Sequence, residues 1–175
     1  MKYLILCLTI ILACNKTENR CLHEGDNKPF DFGICTSESN IVSWGESQAT
    51  FRINNKKLVI SFDQWNNVCD NFWTSIVYLP VQNGNYSISK DDGSIKPSAR
   101  FNLYNGGDAV ANRWDIDTTK QNWVTISSIS KDSTEINGSF DLSFVLRPSL
   151  NGKFYPDLPD SLFLKNGKFN AKLRR

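Results

Sequence analysis

Few residues in this chain could carry nucleophilic or acid–base chemistry. There is one histidine, His23, and there are five cysteines: Cys7, Cys14, Cys21, Cys35 and Cys69. A catalytic thiol needs a base to take its proton and a further group to orient that base. His23 stands two residues after Cys21, whereas working Cys–His pairs come together from distant parts of a chain. A structural zinc site needs closely spaced ligand pairs, and no two cysteines have CxxC spacing. Asp115 and Asp117 stand two apart on one strand face, as a carboxylate pair could, but glycoside hydrolysis also needs its two acids set across a cleft. Asp91-Asp92-Gly93 lacks the twelve-residue calcium-loop pattern and reads as a turn. Serine-hydrolase, zinc-protease and phosphate-loop signatures are missing from the sequence. The expectation is a protein that is not an enzyme and has no metal or cofactor.

Five tryptophans are the remaining surplus. Trp73 and Trp123 fall inside strand-like runs and read as core or sheet surface. Trp65 and Trp114 stand beside polar connections, where two rings could form an aromatic ligand platform for stacking on a sugar.

The elements that must position these residues begin at the N-terminus. After Met1-Lys2, residues 3–13 are almost purely apolar. That run is too short for a membrane span, which takes about 20 residues, and it fits the apolar core of a secretory signal. It ends Ile11-Leu12-Ala13-Cys14, which resembles the bacterial lipobox. The resemblance implies cleavage before Cys14, a diacylglycerol on its thiol and acylation of the new amino group. Two acyl chains already hold a protein stably on a membrane. Asn15, where enterobacterial-type sorting uses Asp for inner-membrane retention, implies the outer membrane by the same resemblance. Residues 1–13 are thus a lipoprotein signal peptide, and 14–40, polar and irregular, a lipidated N-terminus and tether. Residues 41–175 are a domain. With 20 Lys and Arg against 18 Asp and Glu, the net charge of +2 excludes an electrostatic nucleic-acid binder.

Beyond the inner membrane disulfides persist. Cys21, Cys35 and Cys69 are the disulfide candidates, and three cysteines allow one bond and a spare thiol. Cys21–Cys35 would close a loop in the tether; Cys35–Cys69 would pin the tether to the domain.

From Ile41 onward the apolar pattern has period two. Phe51 and Ile53 face Ile60 and Leu58 across Asn54-Asn55-Lys56-Lys57, which predicts a hairpin. Residues 63–71 read as a polar connection. Residues 72–79 are apolar on both faces, as in a central strand. Shorter strands are predicted around Tyr86 and Ile88, at Ala99, Phe101 and Leu103, and at Trp114 and Ile116. Residues 123–129 form another, turned back by Lys131-Asp132-Ser133-Thr134 into the clearest alternation of all, Ile136 to Leu146. Residues 147–160 carry three prolines and predict a long loop. Asn166-Gly167 predicts a two-residue turn pairing Leu164 with Phe169 and Leu162 with Ala171. No stretch shows helical periodicity. The expected fold is all-β, an antiparallel β-sandwich or small closed barrel of about 8–10 strands.

The order of these pieces resembles a family of small, uncharacterised Bacteroidota lipoproteins. The opening hairpin, Ala49 to Lys56, is followed by Asn83-Gly84-Asn85-Tyr86-Ser87-Ile88. Next come Val124-Thr125-Ile126 and Ile136-Asn137-Gly138-Ser139-Phe140-Asp141-Leu142, and last Asn166-Gly167-Lys168-Phe169. The resemblance covers roughly residues 45–175, with Cys69 and Asn55 as departures, and implies a membrane-anchored, extracytoplasmic all-β domain. Asp117-Thr118-Thr119, Asp132-Ser133-Thr134 and Asp160-Ser161-Leu162 resemble the O-glycosylation signal of the same bacteria, which implies Thr118, Ser133 and Ser161 as candidate acceptors.

The sequence therefore points to a lipid-anchored outer-membrane protein of the cell envelope with a non-catalytic binding or structural β-domain. Its expected partners are the membrane, through the anchor, and an envelope protein, a glycan or a small apolar ligand. Two other readings stand beside it: a lipocalin-like carrier of a small apolar ligand, and an inhibitor or immunity-type lipoprotein acting through the 147–160 loop.

Overall fold

A computed structural model describes residues 33–41, 46–65, 72–93, 96–105, 109–148 and 155–174. Eleven strands run through them: β1 (Gly33–Ser39), β2 (Glu46–Asn54), β3 (Lys57–Trp65), β4 (Phe72–Pro80), β5 (Gly84–Ser87) and β6 (Ser89–Lys90). They continue with β7 (Ser98–Asn105), β8 (Ala109–Ile116), β9 (Trp123–Ile129), β10 (Glu135–Leu146) and β11 (Ser161–Leu173). The described residues contain no helix, and so none long and apolar enough to cross a membrane. The all-β expectation holds.

The strands form one mixed sheet whose pairings close on themselves. The path runs β11-β2-β3-β4-β7-β8-β10, β10 pairs back to β11, and β1 lies between β11 and β2, so eight strands make a ring. Nearly all pairings are antiparallel; β11–β2 and β6–β7 are parallel, each over two residues. β10 forks: its first half pairs with β9, its last three residues with β8. β9 carries β5 on its other edge. The chain then crosses the gap, since the Ile88 N–H donates to the Asn122 carbonyl (2.9 Å) and β6 joins β7. Residues 33–39, read above as the end of the tether, are a full member of the ring.

The pleat explains which side chains fill it, because alternate residues face the interior. Phe51, Leu58, Ile60, Phe62, Val77, Phe101, Trp114, Phe140 and Phe144 are all buried. β3 and β10 stand opposite each other in the ring, yet the Phe62 and Phe140 rings stack with centroids 4.8 Å apart. Phe101 meets Phe144 at 5.5 Å, and Trp73 meets Trp114 at 5.8 Å. Aromatic pairs at such distances add to the stabilisation from buried area alone. Opposite walls therefore touch through the Phe62–Phe140 pair, while the other two pairs link strands with one strand between them.

The first predicted hairpin forms in the predicted register, Ile53 against Leu58 and Phe51 against Ile60. Pairing extends to Asn54 and Lys57, leaving a two-residue turn of Asn55 (φ 48°) and Lys56 (φ 63°). Two left-handed residues make the turn whose twist suits paired strands. Ile53, expected in the core, is 49 % exposed, although Leu58 opposite it is fully buried. The connection expected over 63–71 begins later, since β3 runs on through Asp63 to Trp65.

The hairpin expected at Asn166-Gly167 does not form. β11 runs straight through it, with Asn166 in the left-handed region (φ 52°) and one extra residue opposite both β10 and β1. This is a β-bulge. The Asp141 carboxylate accepts the displaced Asn166 N–H (2.7 Å), and the Asn166 amide donates to Glu38 (2.9 Å). Beside the bulge two Gly-x-Phe segments face each other, Gly138 opposite Phe169 and Phe140 opposite Gly167. A Cβ on Gly138 would collide with the Phe169 ring and the Thr125 carbonyl, and one on Gly167 with the Phe140 ring. Each glycine leaves the space that the opposite ring occupies.

Candidate functional site

Two polar regions lie outside the aromatic interior. The first is on the outer face of β7 and β8, where Arg100 stands opposite Asp115 and Asn102 opposite Arg113. Arg113 Nε donates to Asp115 Oδ1 (3.1 Å), and Lys90 Nζ lies 3.2 Å from Asp115 Oδ2. Arg100 donates to Asp91 (3.2 Å), with Arg113 3.9 Å from the same oxygen. The Arg100 guanidinium also sits 5.7 Å from the centre of the Tyr78 ring. Asp115 is 4 % exposed, so its charge is held by two cations and not by water. Such a set ties β6, β7 and β8 together.

The second region is a groove of about 610 Å³ between β5, the β5–β6 crossing and the connection 117–122. Asn85, Ser87, Thr118, Lys120, Gln121 and Trp123 line it. Val124 and Ile126 point into the core, so Trp123 falls on the outer face of β9, opposite Ser87. It is half-buried.

The 117–122 connection is held by its own polar groups. Asp117 accepts from the Thr119 N–H (3.0 Å) and hydroxyl (2.6 Å), which keeps its carboxyl below the ordinary carboxylate value. Asn122 is buried. Its amide donates to the Asp117 and Lys120 carbonyls (2.8 and 3.0 Å), and its oxygen accepts the Ser143 N–H (2.6 Å). The Asp117 N–H returns a bond to the Ser143 carbonyl (2.9 Å). The frame is thereby fixed, while the side chains of Thr118, Lys120 and Gln121 stay exposed.

The residues singled out from the sequence are scattered. Trp114 is fully buried, its indole N–H donating to the Pro159 carbonyl (3.0 Å), so it presents no face to a sugar. This corrects its place in an aromatic platform: its alternation with Ile116 puts it inside. Trp65 ends β3, and its side chain lies outside the described residues. Asp115 and Asp117 do not converge, the first being in the ion-pair cluster and the second capping its own turn. Cys35 is a free thiol at the middle of β1, fully buried. Burial pushes it up to about 12, against a smaller lowering by Ser47, so it is no nucleophile. Cys14, Cys21 and Cys69 lie outside the described residues. Thr118, Ser133 and Ser161 are exposed; Ser133 sits at φ 55° in the β9–β10 turn, and Ser161 opens β11.

The described parts of the 147–160 loop are docked. The Arg147 N–H donates to the Arg113 carbonyl (2.8 Å) and the Leu146 N–H to the Asp160 carbonyl (2.7 Å). The Tyr155 N–H donates to Asn112 (3.3 Å), and Tyr155 and Leu158 pack on the core. Among the described residues no three His, Cys, Asp or Glu side chains gather as a metal site would need.

Sequence reasoning gave Trp123 to the core or the sheet surface and did not count it in the aromatic platform. The signal that finds it is the alternation Trp123-Val124-Thr125-Ile126, which turns the indole outward once Val124 and Ile126 are assigned to the core. No protein family, curated protein or solved structure matches the chain.

Proposed function

We propose that this chain is a lipid-anchored protein of the outer membrane, held through Cys14, whose β-domain binds a ligand on its outer surface and catalyses no reaction. The observation that carries the binding reading is the groove at Trp123, with its fixed frame and exposed polar side chains. Of the groups singled out for chemistry, the three among the described residues are committed elsewhere. Asp115 is paired with Arg113 and Lys90, Asp117 caps a turn, and Cys35 is buried. The contact of Phe62 with Phe140 across the ring favours an outer binding surface over a carrier's central cavity. The docking of Tyr155 and Leu158 on the core likewise favours the groove over an inhibitory loop.

The anchor is tested by feeding cells an alkyne-tagged palmitate. The wild-type chain takes up label and sediments with outer membranes, and Cys14→Ala takes up none and leaves the membrane fraction. A wild-type chain without label sinks the anchor. The binding reading is tested by placing a photo-crosslinking residue at Gln121 in living cells. A ligand adduct formed there and not at Arg52, which is exposed on β2, a strand paired with neither β5, β9 nor β10, supports it.

A further inference from the structure

We infer that the groove over Trp123 is a carbohydrate-binding site. The inference rests on the binding reading above and names the class of ligand. A pyranose ring has an apolar face of C–H groups and a rim of hydroxyls. The face is matched by an aromatic ring, and each hydroxyl by a group that donates and accepts at once. The groove offers that combination: one indole, Trp123, flanked by the amides of Asn85 and Gln121 and the hydroxyls of Ser87 and Thr118. An apolar ligand would find only Trp123 and Ile88 among the lining residues. Among the described residues no carboxylate lines the groove and Lys120 supplies an ammonium, so the surface accepts neutral sugars and favours acidic ones.

Preorganisation points the same way. Weak, hydroxyl-rich ligands are bound where little ordering is left to do on association. The two ends of the connection are locked by the Asn122 amide and the Asp117 cap, while Trp123 and Ser87 sit on paired strands. The groove's volume falls within the range of ligand sites, and its outer position suits a chain lying across the surface more than a small molecule enclosed on all sides.

The test uses the full mature chain in detergent on an array of cello-, chito- and manno-oligosaccharides and oligogalacturonate, with calorimetry on each sugar that binds. At least one class binds. Trp123→Ala weakens it about tenfold or more and Trp123→Phe less than Trp123→Ala, as expected for lost stacking area. Gln121→Ala also weakens it, and Lys120→Gln weakens oligogalacturonate more than it weakens any neutral sugar. The inference is overturned by a wild-type chain that binds none of these sugars, or by unchanged affinity in a folded Trp123→Ala. The crosslinker at Gln121 separates the two failures. Capture of a polypeptide with no sugar bound sinks the carbohydrate and leaves the binding reading standing; no capture and no sugar sinks both.

Discussion

The cluster on β7 and β8 and the groove beside β9 are both polar, and they use polarity in opposite ways. In the cluster, Lys90, Arg100 and Arg113 meet Asp91 and Asp115, so charge answers charge and little is left over. In the groove, Asn122 and Asp117 spend their hydrogen bonds on backbone groups, and their neighbours Thr118, Lys120 and Gln121 stay exposed. A polar region becomes a site where the frame is satisfied without consuming the side chains that look outward. The richer collection of charges is, on this view, the structural one.

Substitutions separate the two. The largest effect is expected from Asp115→Ala, which leaves Arg113 partly buried without its nearest carboxylate. It should cost about 3 kcal/mol, read as a lower urea midpoint, with groove binding unchanged in the folded fraction. Asn122→Ala comes next. It strips the buried Ser143 N–H of its acceptor at about 2 kcal/mol and loosens the groove's frame, so stability and binding fall together. If stability is lost and binding is not, the frame argument fails.

The pH response should be smaller and of two signs. Asp117 is held below its ordinary value of 3.8 by Thr119, so its contribution is full above that value and disappears as pH falls through its depressed pKa. Asp63, facing Gln48 and Thr74 on neighbouring strands, is raised above 3.8 by burial, against smaller lowering by Thr74 and Arg174. Its contribution is full below 3.8 and is lost as pH rises through its elevated value. Urea midpoints across pH should therefore fall less steeply on the acid side in Asp117→Asn, where Asp132, also depressed by Ser130 and Thr134, still contributes, and decline less toward neutrality in Asp63→Asn. The smallest stability effect belongs to Gln121→Ala. On the same connection as Asn122, it should stay within about 0.5 kcal/mol of wild type while binding weakens, and a large stability loss there would erase the contrast.

Much of the fold was legible because period-two patterning reports which face is buried. The 135–146 strand, the 123–129 strand and the register of the β2–β3 hairpin follow from it directly. Asn166-Gly167 was misread for a physical reason. A two-residue hairpin and a one-residue bulge both need a left-handed residue, and both shift the buried parity from Leu162 and Leu164 to Phe169 and Ala171. What decides is whether a long partner passes on each side, and the length of β10 and the insertion of β1 are facts of the whole sheet. The site was less legible still. Trp114 shares its parity with Ile116, and Trp123 is out of step with Val124 and Ile126, so assigning those aliphatic residues to the core turns the first ring inward and the second outward; that the outward ring meets Ser87 and the 117–122 connection is a fact of the whole sheet.

The place of β1 has a mechanical consequence. It is antiparallel to both neighbours, with ladders to β2 on one side and β11 on the other, and the whole N-terminal segment leads into it. A pull arriving from that side along the strand loads both ladders in shear, so their hydrogen bonds share the tension instead of breaking one after another. Extracting β1 would leave β11 and β2 joined over only two residues. The strand that would take up such a load is thus also the one that fastens the ring, and β1 cannot be drawn out without the ring being opened.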